Sequence, residues 1–275
     1  MPKRDRARRT QLYVPGNNEK MILNSINLPA DSIIFDLEDS VPPEYKQRAR
    51  NILSKFISAN DFGKKEICVR MNSISSKESF KDLKFIMKLN KIDTVVIPKA
   101  ELGISTIYKL TGIPTIPIIE TPKGFSEVDK ILNEEGVEAV AWGSGDLSLS
   151  LGGLESRYSH NEYVRTRILV SAKLSEIDAI DKVYFNIGDI EGFRKDCIEA
   201  KSLGFSGKQV VHPSQLTEAM KIFSPSKDEI LFAEKVMRSY LKSIKSGKGA
   251  LKIDGRLIDS VNVKIAQRIL AMKET

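Results

Sequence analysis

Short apolar runs, rich in β-branched residues, recur along the chain and alternate with longer segments of helical period. The runs fall at residues 11–14, 32–36, 66–71, 94–97, 115–119, 139–142, 182–186 and 208–211. Their near-continuous hydrophobicity, without strict alternation between faces, predicts parallel strands buried on both sides. Between them, residues 101–110, 125–135 and 190–203 repeat apolar positions at three- and four-residue spacing and predict helices. Asp189 stands at an N-cap position, and Gly136 and Gly204 at helix stops. Eight βα units without a break in composition predict a (β/α)8 TIM barrel over residues 1–225. An open doubly wound sheet is the alternative, because strand order is not written in the pattern.

After the eighth run, a helix at 215–222 leads into a C-terminal helical extension, 226–275, that a barrel does not require. Ser226 is a good N-cap for a helix over 228–244, which Gly247 and Gly249 break. A short segment ends at Asp254-Gly255, and a last helix starts near Ser260. The extension is expected to act as a lid or an oligomer contact.

Composition narrows the class. The chain has 275 residues, 41% hydrophobic and 29% charged, which describes a soluble globular protein. No apolar run approaches the roughly 20 residues of a membrane span, and no apolar stretch follows the basic first residues as in a secretory signal. Cys68 and Cys197 are too few for a disulfide framework and read as core thiols, so a reducing cytoplasm is expected. The net charge of +7 is confined to the ends: +4 over residues 1–10 and +6 over 231–275, against −3 between them. Without any aromatic–basic motif, these ends read as solvated tails rather than a nucleic-acid footprint.

Barrel enzymes carry their chemistry at the C-terminal ends of the strands. The predicted strands exit at Pro15-Gly16, Asp36-Leu37-Glu38-Asp39, Arg70-Met71-Asn72, Pro98-Lys99, Glu120-Thr121, Gly143-Ser144-Gly145-Asp146, Asn186 and His212-Pro213. Singly, such residues are often caps or loop groups. Asp36 or Asp39 can serve simply to hold Arg70, His212 reads as a hydrogen-bonded turn residue, and His160 receives no role. Jointly, Glu120 and Asp146 end adjacent strands and present two hard oxygen ligands on one rim. That set suits Mg²⁺, which takes one or two carboxylates and leaves its other positions to water and substrate. No Cys/His spacing fits zinc, and Gly143-Ser144-Gly145 lacks the rest of a Walker or dinucleotide pattern.

Several of these segments together resemble the citrate lyase β-subunit-like proteins of the HpcH/HpaI aldolase/citrate lyase superfamily, a group with malyl-CoA and citramalyl-CoA lyases among its members. The resemblance runs through Arg9-Thr10-Gln11-Leu12-Tyr13-Val14-Pro15-Gly16, Phe35-Asp36-Leu37-Glu38-Asp39-Ser40-Val41, Val69-Arg70-Met71-Asn72 and Ile119-Glu120-Thr121-Pro122. It closes at Gly204-Phe205-Ser206-Gly207-Lys208 and His212-Pro213-Ser214-Gln215.

The resemblance implies a Mg²⁺-dependent barrel lyase, with Mn²⁺ an acceptable substitute. Such an enzyme makes or breaks a carbon–carbon bond between a thioester enolate and a 2-oxo acid, the CoA thioester being substrate rather than bound cofactor. Glu120 and Asp146 match the metal ligands and Arg70 the arginine that grips substrate. Asp259 matches the acid/base of the malyl-CoA lyases, which in relatives reaches a neighbouring subunit's site within trimers or hexamers; its alternative reading is a helix N-cap. Glu38 joins Arg70 and Asp259 as a catalytic candidate. Tyr13, Lys99 and Gly145 join Arg70 and Asp146 as substrate-binding candidates, the backbone N–H groups of Gly145 and Asp146 facing the oxo-acid carboxylate.

Asn18 and Asn24 stand where malyl-CoA lyases carry basic residues, and the segment 147–165 is shorter. Both departures point to the citrate lyase β or citramalyl branch, with free CoA or an acyl-carrier protein as the thioester's carrier. A malate synthase-like thioesterase or synthase, a 2-oxo-acid aldolase and a non-catalytic assembly subunit are the alternatives.

Overall fold

In the computed structural model the chain divides into two compact units, Met1–Met220 and Lys221–Thr275. Residues 6–245 and 251–272 are described; Gly247 and Gly249, expected to break a helix, lie outside them.

The first unit is a closed barrel of eight parallel strands, each paired with its successor in sequence. The strands are β1 (Thr10–Pro15), β2 (Ser32–Asp36), β3 (Glu66–Arg70), β4 (Thr94–Ile97), β5 (Thr115–Ile119), β6 (Ala139–Trp142), β7 (Asp178–Asp181) and β8 (Gly207–Val210). Closure comes from β1 pairing with β8, Gln11 opposite Gln209, which excludes the open sheet. Helices follow the strands, as the right-handed crossover of a parallel sheet requires. Inward-facing Ile34, Cys68, Val96, Ile116, Ile118, Ala139, Ala141 and Ile180 fill the barrel as one buried cluster, with Tyr13 packed against it. No helix among the described residues is long and apolar enough to cross a membrane.

Three expectations change. The seventh strand is Asp178–Asp181, not 182–186. Two carboxylates disguised it, whereas Val183, Tyr184 and Phe185 carry the β-prone composition of the loop that follows. Asp181 is nonetheless fully buried, because Lys208 Nζ lies 2.6 Å and Arg165 Nη2 3.2 Å from its Oδ2, and the Trp142 indole donates to Oδ1 at 2.9 Å. The predicted helix at 125–135 is two short ones, Pro122–Ser126 and Val128–Leu132; Pro122 takes the first position, and Thr121 caps the turn by accepting from the Gly124 N–H. The basic N-terminal segment, where described, is not a solvated tail. Arg8 is buried, donating to Glu66 through Nη2 at 2.7 Å and to Glu138 at 3.1 Å, while Arg9 pairs with Asp31 and Arg6 with Asp93.

These pairs gather at the N-terminal ends of the strands. There Glu66 also accepts from Ser32 Oγ at 2.7 Å and Thr94 Oγ1 at 2.6 Å. Ionic bonding thus closes the bottom of the barrel and leaves the opposite rim for chemistry.

In the second unit, Lys227–Lys245 is a helix whose start is boxed by Ser226 and Glu229, each side chain accepting from the other's backbone N–H. An antiparallel hairpin, β9 (Leu251–Ile253) and β10 (Arg256–Ile258), turns at Asp254-Gly255, where both residues have positive φ, 48° and 79°. Asp-Gly is the dipeptide that such a two-residue turn favours. The final helix, Ser260–Ala271, packs Val263 and Ala266 against Ala233, Val236, Ile253 and Ile258.

Candidate functional site

A cavity of about 390 Å³ opens among the C-terminal ends of the barrel strands and their loops. Tyr13, Arg70, Glu120, Gly145 and Asp146 all line it, so the fold brings five of the predicted site residues together. Glu38 and Lys99 do not line it. Asp259 lies in the second unit.

Arg70 is the best-held side chain of the site. The β2–β3 register sets it directly beside Asp36. Its Nε donates to Asp36 Oδ1 at 2.7 Å and its Nη2 to Oδ2 at 2.8 Å, while Nη1 lies 3.0 Å from Glu38. The guanidinium also stacks over the Tyr13 ring, 4.7 Å from its centre. Tyr13 is itself fixed, its hydroxyl donating to Gln209 at 3.2 Å. Burial alone would raise the pKa of Asp36, but Arg70, with Ser40 and the Glu38 amide, holds it below the ordinary value. Asp36 rather than Asp39 is therefore the residue that positions Arg70, Asp39 being 3.8 Å away.

Glu38 stands behind Arg70. It is buried, and Lys99 Nζ donates to its Oε1 at 2.6 Å. Burial pushes its pKa up, against the pull of Arg70 and Lys99. This places it as a brace between two cations rather than as a group facing the cavity. Lys99 has a left-handed backbone, φ 50°, uncommon for a side chain larger than glycine. That turn aims its N–H at Glu120 Oε1, 2.7 Å away. Its ammonium lies 3.8 Å from Asp146, and its pKa is raised because Glu38 outweighs the cost of burial.

Glu120 and Asp146 meet on the rim as the strand ends predict. Glu120 is only 4% exposed. Burial, then the charge of Asp146, pushes its pKa up to about 7. Its Oε2 occupies the space beside Gly143, where an added Cβ would stand 2.5 Å away. A side chain at 143 would force that carboxylate to shift. Glu120 is buried and Asp146 part-exposed, and together they give the cavity an all-oxygen donor pair. A hard divalent ion of the Mg²⁺ type fits these residues.

Gln209 and Trp142 also line the cavity, and the sequence reading did not single them out. Gln209 is a polar residue of β8, buried and tied to Tyr13 and Gln11. Elsewhere, His160, Asp196 and Glu199 bring possible ligand atoms within 4.8 Å of one another. Arg165, 3.0 Å from Glu199 and 3.7 Å from Asp196, already supplies positive charge there, as do Lys182 and Lys208 at 3.0 and 2.7 Å from Asp196. His212 is the expected turn residue, boxed with Gln215 at the start of a short 3₁₀ turn. Cys68 and Cys197 are buried free thiols.

Comparison with known proteins gives this geometry a context. The family model for HpcH/HpaI aldolase/citrate lyase matches residues 9–213. The chain is 33% identical to the mitochondrial citramalyl-CoA lyase of Rattus norvegicus, over 96% of this chain and 86% of that one. It is 30% identical to a (3S)-malyl-CoA thioesterase of Cereibacter sphaeroides, over 97% and 94%. The fold is shared with protein CitE of Mycobacterium tuberculosis, solved with magnesium, acetoacetate and coenzyme A. The TM-score is 0.82 at 28% identity, covering 97% of this chain and 98% of that one. The chain belongs to the HpcH/HpaI aldolase/citrate lyase family and is a lyase.

Proposed function

We propose that this lyase is Mg²⁺-dependent and splits a 3-hydroxyacyl thioester into an acyl thioester and a 2-oxo acid, or joins them in reverse. The observation that carries the reading is the convergence of Glu120, Asp146 and the buttressed Arg70 on one cavity. The magnesium and coenzyme A recorded with the CitE relative support it.

Glu120 and Asp146 would hold the metal, which supplies Lewis acidity toward the substrate's hydroxyl and oxo oxygens. Cleavage passes the hydroxyl proton to solvent, turns the alkoxide into the carbonyl of the oxo acid as the adjacent carbon–carbon bond breaks, and leaves that bond's electron pair on the thioester as an enolate. Arg70, permanently charged, neutralises the negative oxygen as it develops. Asp36, Glu38 and Tyr13 keep the guanidinium aimed, so little reorganisation is needed when charge appears. The N–H groups of Gly145 and Asp146 are offered to the oxo-acid carboxylate. Asp259 would return a proton to the enolate carbon, acting in a neighbouring subunit of a trimer or hexamer. On this reading the segment 226–275 is a lid or subunit contact that delivers Asp259. Free CoA or an acyl-carrier protein brings the thioester, and the buried free thiols suit a reducing cytoplasm.

The (3S)-malyl-CoA thioesterase relative supports a second reading, hydrolysis of the thioester itself. Product analysis separates the two. A lyase yields acyl-CoA and oxo acid in equal amounts, whereas a thioesterase yields free CoA with the hydroxy acid intact.

A further inference from the structure

Asp146 stands in the first turn of a short helix, Ser144–Ser150, directly after Gly143. A helix start is usually capped by a side-chain oxygen on the residue before it. At 143 an added Cβ would lie 2.5 Å from Glu120 Oε2, and the glycine makes no side-chain cap. One of the two proposed metal ligands thus deprives the turn that carries the other of its usual anchor. The Asp146 carboxylate is no substitute, because Lys99 Nζ, 3.8 Å away, is too far for a hydrogen bond.

Ser144 ties the turn down instead. Its hydroxyl donates to Glu155 Oε1 at 2.7 Å, a short bond to a charged acceptor. Ser144 is 2% exposed, so without Glu155 the turn would have to move to give that hydroxyl another partner. Glu155 opens the next helical turn, Glu155–Tyr158, and does not line the cavity, whereas Ser144, Gly145 and Asp146 do. Apolar packing does little to hold the connection between the two, because Leu149, Leu151 and Leu154 are exposed. Polar bonding holds its far end as well, where His160 Nδ1 lies 3.1 Å from Glu199 Oε2.

We infer, on the reading that Glu120 and Asp146 hold a divalent cation, that Glu155 is a positioning residue for that cation: acting through Ser144, it fixes the turn that presents Asp146. Partners standing behind metal ligands set affinity by about 10–100-fold. The Glu155 bond reaches Asp146 through the chain rather than directly, which places its effect at the lower end of that range.

Calorimetric titration of Mg²⁺ into the full chain reads this without turnover. Glu155→Ala is expected to weaken Mg²⁺ binding about tenfold while keeping the wild-type melting profile. Ser144→Ala breaks the same bond from its other end and should weaken binding equally. The double variant should lose no more than either single one, since both remove one interaction. Glu155→Gln still offers Ser144 an acceptor oxygen and should bind as wild type does. Should Glu155→Ala not fold, Ser144→Ala, which leaves every charge in place, decides alone. Unchanged binding in the alanine variants, or additive losses in the double variant, overturns the inference and leaves the metal reading standing. So does a Glu155→Gln variant as weak as Glu155→Ala, which would assign the effect to the carboxylate's charge rather than to its bond. No binding by the wild type overturns the metal reading and the inference with it.

Discussion

Arg70 meets Asp36 edge-on across the β2–β3 pairing, its Nε donating to Oδ1 at 2.7 Å and its Nη2 donating in parallel to Oδ2 at 2.8 Å. This fork is what a guanidinium can make and an ammonium cannot. Arg70→Lys keeps the charge but loses the fork and the stacking on Tyr13. We expect kcat/KM to fall by roughly 10²–10³, the size of losing one aimed oxyanion donor. Steady-state kinetics on the purified variant, with a melting curve to show that the barrel is intact, checks this.

Glu120 pits function against stability. Its pKa rises from an ordinary 4.5 to about 7, so the folded chain holds that proton more tightly than the unfolded chain. The penalty for ionising it is absent below 4.5, grows as pH climbs and is complete above about 7. Glu120→Gln should therefore raise the stability of the metal-free protein at about pH 8, by on the order of 3 kcal/mol, and leave it unchanged in acid. The same variant should gain no protection from Mg²⁺. Denaturant melts at both pH values, with and without the ion, decide it.

At the opposite end of the barrel the sign reverses. Burial would raise the pKa of Glu66, but Arg8, Thr94 and Ser32 bring it down from 4.5 to about 2. Its stabilising contribution, on the order of 3 kcal/mol, is full above pH 4.5 and drains away as pH falls toward 2. Glu66→Gln should lower stability at neutral pH and flatten this part of the acid-denaturation curve. A variant as acid-sensitive as the wild type across that window would contradict the assignment.

Much of this organisation is legible in the sequence, for definite reasons. Strands β2, β4, β5 and β6 are apolar stretches bounded by polar residues, and their limits match the expected ones. Glu120 and Asp146 stand out because a carboxylate at the end of such a strand has one rim to occupy. β7 stayed hidden because Asp181 is tolerated by Lys208 and Arg165, which lie far off in sequence. Arg8 looked like tail for the same reason, its partner Glu66 being 58 residues away. Glu38 and Lys99 are visible as strand-end residues, but that they brace Arg70 and Glu120 from behind depends on side-chain directions no spacing rule supplies. Trp142 reads as core until its ring is seen on the cavity wall.

Asp259 has a visible structural duty. Its Oδ1 accepts from the N–H groups of Val261 at 2.9 Å and Asn262 at 3.2 Å, capping the last helix. Asp259→Ser separates this duty from acid/base chemistry, since serine also caps well. Stability should stay within about 1 kcal/mol of wild type, while kcat falls about 10²-fold or more at little-changed KM. Unchanged kcat would reduce Asp259 to a cap.

The account depends above all on Glu120 and Asp146 holding a divalent cation, and calorimetric titration of Mg²⁺ into the full chain tests that most directly. Wild type is predicted to show one saturable site, and Glu120→Ala and Asp146→Ala each to abolish it while retaining the folded barrel by circular dichroism. Undiminished binding in either variant, or no binding by the wild type, would contradict the account.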